Sequence, residues 1–193
     1  VASGSPDVTM VRGNFRLSDR SVASAPLLLC EVDAQGCLAL SSVDGAAKVA
    51  LDYAADASRL TIAARSPHDR IALDFTLAPD DVLWGGGEQM SYLALNGRNF
   101  PVWTSEPGVG REPGTPLTDQ ASADGSFAGG DYWTTNYPEP TVLCSGGWAL
   151  SLGNAEYVEL DASAPGRLRV HVWSGMVTCL LYTSPSPRDR QKS

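Results

Sequence analysis

The sequence predicts an all-β fold, an antiparallel β-sandwich, and three observations carry that expectation. Short apolar runs recur along the chain, separated by clusters of turn residues; 19 glycines and 13 prolines in 193 residues oppose long helices. In the runs at 59–65 (RLTIAAR) and 70–77 (RIALDFTL) the larger apolar residues alternate, so one face of each is buried. Repeated short strands at this spacing suit two packed antiparallel sheets better than a parallel sheet with crossover helices.

Taken in order, residues 8–17 (VTMVRGNFRL) read as one strand interrupted at Gly13, where a bulge or close packing accounts for a glycine inside an extended run. Strands follow at 26–32, 37–43, 48–53, 59–65 and 70–77. The intervening segments 33–36 (DAQG), 44–45 (DG), 55–58 (ADAS) and 66–69 (SPHD) supply turn chemistry. Residues 112–130 (EPGTPLTDQASADGSFAGG) are small and turn-rich, and are expected to cross the surface as an ordered loop without a helix. Strands at 141–145, 148–152, 156–161 and 167–173 complete the second sheet, with turns at Gly146-Gly147, Gly153-Asn154 and 164–166.

The length suits one domain, and a hydrophobic fraction of 43% supplies its core. Fourteen basic against 22 acidic residues give a formal charge of −8, with no Lys or Arg run outside the extreme carboxyl end, so no nucleic-acid partner is expected. No apolar run approaches the roughly 20 residues of a spanning helix, and no membrane partner is expected. The opening VASGSPDVTM lacks the charged and apolar regions of a secretory signal and begins at Val, so an original amino terminus is read as missing. Cys30, Cys37, Cys144 and Cys179 lack CxxC spacing, and only His68 and His171 could join them, which argues against zinc. Cys30 and Cys37 could pair across a hairpin; reduced thiols and a cytoplasmic location are the preferred expectation. Neither histidine has a nucleophile at a recognisable spacing.

The densest chemistry lies at 84–111, WGGGEQMSYLALNGRNFPVWTSEPGVGR. Three glycines after Leu83 and Trp84 permit backbone angles or a close approach that side chains forbid. Glu88 and Gln89, a Gly-Arg-Asn turn, the aromatics Tyr92, Phe100 and Trp103, and a second glycine-rich turn ending at Arg111 follow. Aromatic faces and forked polar groups of this kind suit polyhydroxylated ligands.

At these residues the chain closely resembles the segment that precedes the catalytic barrel in glycoside hydrolase family 31, within it the sulfoquinovosidase-like α-glycosidases. Two further motifs match in the same order: MVRGNF at 10–15 and GGDYWTTNYPEPT at 129–141. The resemblance implies a galactose-mutarotase-like amino-terminal β-sandwich over residues 1–178, without the catalytic (β/α)8 barrel. Residues 179–193 resemble the translation of a sequencing adaptor, and are expected to be a non-native, disordered tail on a truncated fragment.

In the resembled family the nucleophile and the acid are barrel aspartates, so no catalytic residue is assigned here, and neither cofactor nor metal is expected. Glu88 and Glu106 are accordingly not read as a catalytic pair; Glu88 is expected to accept backbone or Arg hydrogen bonds. Gln89, Trp103, Glu106 and Arg111 are assigned to a substrate-proximal loop, although Gln89, Arg98 and Arg111 could equally tie loops together. Tyr92, Phe100, Tyr132, Trp133 and Tyr137 are assigned to a barrel-facing surface, and Trp84 and Trp103 join them as aromatics left uncovered on the isolated chain. The implied partners are the chain's own barrel and a carbohydrate, either an α-glucoside or a sulfoquinovoside. The rival reading is a self-contained carbohydrate-binding or aldose-epimerase-like sandwich, for which the same loop is the complete ligand site.

Overall fold

The alternating segments become strands in the computed structural model, which describes residues 1–32, 38–56 and 59–183. In chain order they are β1 (Ala2–Val11), β2 (Asn14–Ser24), β3 (Leu29–Val32), β4 (Leu38–Ser41), β5 (Lys48–Asp56), β6 (Arg59–Arg65), β7 (Ile71–Thr76), β8 (Leu83–Gly85) and β9 (Asn99–Val102). A short helix α1 (Pro116–Ala121) precedes β10 (Thr141–Cys144), β11 (Trp148–Leu152), β12 (Val158–Asp161), β13 (Arg167–Val172) and β14 (Met176–Thr183). Every strand pairing among them is antiparallel. The larger sheet has the order β3-β4-β5-β6-β14-β11-β10-β8 and the smaller β7-β13-β12-β9, while β1 and β2 form a separate ribbon.

Alternation explains how the two sheets share one core. Along β13, Leu168, Val170 and Val172 are fully buried while Arg167, Arg169 and His171 point away. Facing them are Val142, Leu150 and Val177 of the larger sheet, in the same apolar cluster. Each such side chain withdrawn from water contributes about 1.5–3 kcal/mol.

The segment at 8–17 is two strands rather than one interrupted strand. Arg12 (φ 52°) and Gly13 (φ 80°) are the central pair of a two-residue hairpin turn, with Met10 opposite Phe15 and Val11 opposite Asn14. Alternation continues on both sides of the turn, and Arg at a positive φ is a poor turn signal, so the hairpin read as a bulge. The ribbon's base is fastened by the Ala2–Arg70 bridge and by the Arg70–Asp19 ion pair at 3.2 Å, with the Arg70 guanidinium 4.2 Å from the Trp173 ring centroid.

Two further expectations are corrected. The 112–130 segment contains α1, opened by Pro116 in the first turn, where its missing N–H costs nothing. The boundary expected after residue 178 falls inside β14: residues 179–182 pair with both β6 and β11, and Cys179 is buried. Val177 and Cys179 alternate inward, so the strand period runs through the expected boundary. Residues 184–193, Cys37, the turn at 33–36 and the tip of the 55–58 turn lie outside the described residues. Cys30 is an exposed free thiol. No helix among the described residues is long and apolar enough to cross a membrane.

Candidate functional site

β8 delivers the chain into the triple glycine, and the structure identifies what passes beside it. A Cβ at Gly85 would overlap the Thr141 carbonyl, and one at Gly87 the Tyr137 carbonyl; both glycines also have positive φ (132° and 83°). In their place three backbone hydrogen bonds form: Gly86 N–H to Thr141 O at 2.9 Å, Glu88 N–H to Tyr137 O at 2.9 Å and Glu139 N–H to Gly86 O at 3.2 Å. The second sequence motif is thereby laced to the third.

From there the loop is pinned at few points. Leu95 is fully buried, and Asn96 accepts from Leu83 N–H at 2.8 Å and donates to Asp81 O at 3.0 Å. Between the glycines and these anchors Met90, Tyr92 and Leu93 stand exposed, Tyr92 beneath the Arg98 guanidinium at 3.4 Å. The loop returns through β9, an edge strand, which is where Pro101 can be tolerated.

Phe100 on β9 does not face outward. It pairs in register with Leu160 and is 1% exposed, with the Tyr132 ring edge-on at 5.4 Å. Its assignment to a barrel-facing surface is therefore wrong: strand register turned an aromatic from a polar loop into the core. Tyr132 and Trp133 are half-buried against that core, and the Tyr132 hydroxyl donates to Asn99 O at 2.6 Å. Burial, followed by the nearby Asp131 carboxylate, raises the Tyr132 phenol above its ordinary pKa. Tyr92 at 40% and Tyr137 at 70% remain open to solvent, whereas Trp84 and Trp103 are half-buried.

Beyond β9 the first motif joins the other two. Trp103 lies between Phe15 (centroids 5.1 Å) and Tyr157 (5.3 Å). Glu106 N–H reaches Gly13 O in the ribbon turn at 3.4 Å, Ser105 N–H donates to Thr135 O at 3.0 Å, and the Thr134 hydroxyl donates to Pro107 O at 2.8 Å. Arg16 pairs with Asp131 at 3.4 Å and covers the Phe127 ring at 4.8 Å; Arg12 pairs with Asp124 at 3.0 Å. Three motifs distant in sequence thus build one end of the sandwich.

The four residues assigned to a substrate-proximal loop are placed differently from one another. Glu106 is exposed, and its carboxylate makes no hydrogen bond or ion pair to another described residue. Trp103 is half-buried between its two aromatic neighbours. Gln89 turns back to donate to Gly86 O at 2.7 Å, leaving its buried Oε1 without a partner among the described residues. Arg111, at φ 55°, donates its backbone N–H to Gly129 O at 2.7 Å, and its Nη1 is buried without a partner among the described residues. Glu88 does not act as an acceptor for Arg or backbone groups: its side chain is exposed and makes no hydrogen bond to a described residue.

Sequence reasoning did not single out Tyr157, which continues the aromatic row from Trp103 to Trp173. Its hydroxyl donates to Glu159 at 2.9 Å, and burial together with that carboxylate raises its pKa far above the ordinary phenol value. Only a contact between the residue that follows β9 and the approach to β12 reveals it, so no local signal existed. Among the described residues no group of His, Cys, Asp and Glu is arranged to hold a metal ion.

No family model matches the chain. It is 39% identical over 172 residues to a sulfoquinovosidase of Agrobacterium fabrum, covering 89% of this chain and 26% of the relative. To the sulfoquinovosidase of Escherichia coli K12 it is 34% identical over 184 residues, covering 92% and 27%. A solved structure of a family 31 sulfoquinovosidase from E. rectale, in complex with the aza-sugar inhibitor IFGSQ, superposes with a TM-score of 0.81 at 29% identity, over 96% of this chain and 28% of that one. The chain therefore spans about a quarter of the length of the relatives it matches.

Proposed function

We propose that this chain, a homologue of the glycoside hydrolase family 31 sulfoquinovosidases over about nine-tenths of its length, is the non-catalytic amino-terminal sandwich of a retaining α-glycosidase. Retention requires a nucleophilic carboxylate and an acid roughly 5–5.5 Å apart. In this reading both belong to a barrel outside the chain, and the sandwich buttresses that barrel and lends it one loop. The substrate class is an α-glycoside, with a sulfoquinovoside favoured by the names of the relatives.

The observation that carries the reading is the convergence of the three motifs. A loop that contributes to a substrate mouth must be held still, because small misplacements at a reacting centre are costly. Here Trp103 is wedged between Phe15 and Tyr157, and the backbone of Ser105 and Glu106 is tied to Thr135 and Gly13. The exposed Glu106 carboxylate has no polar partner among the described residues, and is therefore free to meet a ligand or a facing domain. The exposed Met90, Tyr92, Leu93 and Tyr137 supply apolar surface for the facing domain. A reducing cytoplasmic location accords with the free Cys30 and Cys144 thiols.

The test is made in a longer protein that joins this chain to its barrel. Glu106→Gln should lower kcat/KM by about tenfold or more, equivalent to about 1.4 kcal/mol of transition-state stabilisation, with the melting transition in place. Unchanged kcat/KM would remove Glu106 from the substrate mouth.

A further inference from the structure

A cleft lies beside the convergent loop, and Glu106 is not among the residues that line it. The end of β9, the segment leading into β10 and the segment leading into β12 enclose a cleft of about 320 Å³, lined among others by Trp103, Pro138, Pro140, Glu156 and Tyr157. That volume falls at the lower end of small-molecule sites.

Its walls are of two kinds, aromatic and proline. The Trp103 and Tyr157 rings meet at 51°, forming a corner rather than a flat slot. Tyr157 is held from behind by Trp173, edge-on at 4.6 Å, and by its hydrogen bond to Glu159. Pro138 and Pro140 contribute ring carbons and no N–H donors. A puckered sugar ring can lay the C–H groups of one face against such a wall while its hydroxyls reach the polar rim.

At the rim, Glu156 is a carboxylate with a fixed orientation. Oε2 accepts from Asn154 Nδ2 at 2.9 Å, and Oε1 accepts from the Ser174 hydroxyl at 3.2 Å. Asn154 is itself locked, donating to Met176 O at 2.8 Å and accepting from Thr178 N–H at 3.0 Å. The Asn154 hydrogen bond, the strongest influence, holds the Glu156 pKa below the usual carboxylate value. Each oxygen keeps further accepting capacity, so an occupant must bring donors. A purely apolar peptide segment would desolvate the charge and return nothing.

We propose that this cleft binds one pyranose ring of a neutral glycoside, with Trp103 against a C–H face and Glu156 accepting from adjacent hydroxyls. The site stands on the chain's own residues and does not depend on the activity of any barrel. An anionic sugar is disfavoured, because a sulfonate near Glu156 meets like charge.

The experiment titrates the isotopically labelled 193-residue chain with methyl α-D-glucopyranoside, following the Trp103 indole N–H by NMR. A saturable shift with Kd of about 1–10 mM is expected. Glu156→Gln, which keeps the side-chain size, should weaken binding by about fivefold or more through loss of a charged acceptor. Trp103→Phe, which retains an aromatic partner for Phe15, should weaken it as well, and methyl α-sulfoquinovoside should bind more weakly than the glucoside. Absence of saturation, equal affinity in the Glu156→Gln protein, or tighter binding of the sulfonated sugar would overturn the proposal.

Discussion

The Phe15 and Trp103 rings meet with centroids 5.1 Å apart, and through that contact the tip of the β1–β2 ribbon is fastened to the loop that carries Glu106. A two-stranded ribbon is marginal by itself, and residues 5–10 of this one are exposed. The tip contacts therefore decide whether ribbon and loop are ordered together. Phe15→Ala should cost about 1–2 kcal/mol and accelerate amide exchange across both the ribbon turn and residues 103–106. Exchange that quickened in the ribbon alone would show that the loop is held by other means.

Phe100 separates core from interface. With 1% of its surface exposed, Phe100→Ala should destabilise the chain by about 3–5 kcal/mol. Tyr137→Ala, at a side chain 70% exposed, should stay within about 0.5 kcal/mol. Denaturant midpoints of the two variants check both values, and equal midpoints would return Phe100 to the surface.

β14 lies between β6 and β11, so the last described residues stabilise the large sheet. A chain ending at Thr178 loses the pairing of residues 179–182 on both sides and the burial of Cys179. Compared with a chain ending at Thr183, it should melt about 10 °C or more lower, corresponding to a loss of several kcal/mol. Coincident melting curves would place the boundary back at residue 178.

Stability should fall with acidification in two stages. His171 is half-buried on the outer face of the smaller sheet, and burial lowers its pKa despite the nearby Glu159, Asp161 and Asp74 carboxylates. The unfolded chain therefore takes up the proton first, near the ordinary value of about 6.5, and stability declines as pH drops below it. Asp74 is lowered chiefly by its hydrogen bonds from Arg169, at 2.6 and 2.7 Å. That contribution is present above the ordinary carboxylate pKa and is lost as pH falls through the lowered one; exposure of both partners keeps it small. His171→Gln should flatten the change in melting temperature between pH 7 and 5 and leave the lower-pH decline intact. An unchanged slope between pH 7 and 5 would remove His171 as its source.

What could be read in advance depended on how local the determinant was. The strands at 59–65 and 148–152 match β6 and β11 end to end, because alternation and flanking turns are properties of neighbouring residues. β8 has three residues and ends in glycine, and β9 contains Pro101, so neither announces itself as a strand. The Arg12–Gly13 turn was hidden by an arginine at positive φ. In the site, the glycines and the three motifs were visible as sequence. The burial of Phe100 against Leu160, and the placing of Tyr157 behind Trp103, follow from pairings between distant strands that no local pattern encodes.

The claim that this sandwich is not itself the catalyst is tested most directly by assaying the purified chain with a chromogenic α-glucoside and a chromogenic sulfoquinovoside. The expected result is no turnover of either above the buffer rate. Turnover that disappears in the Glu106→Gln protein would contradict the account, because the chemistry would then reside in the loop rather than in a barrel.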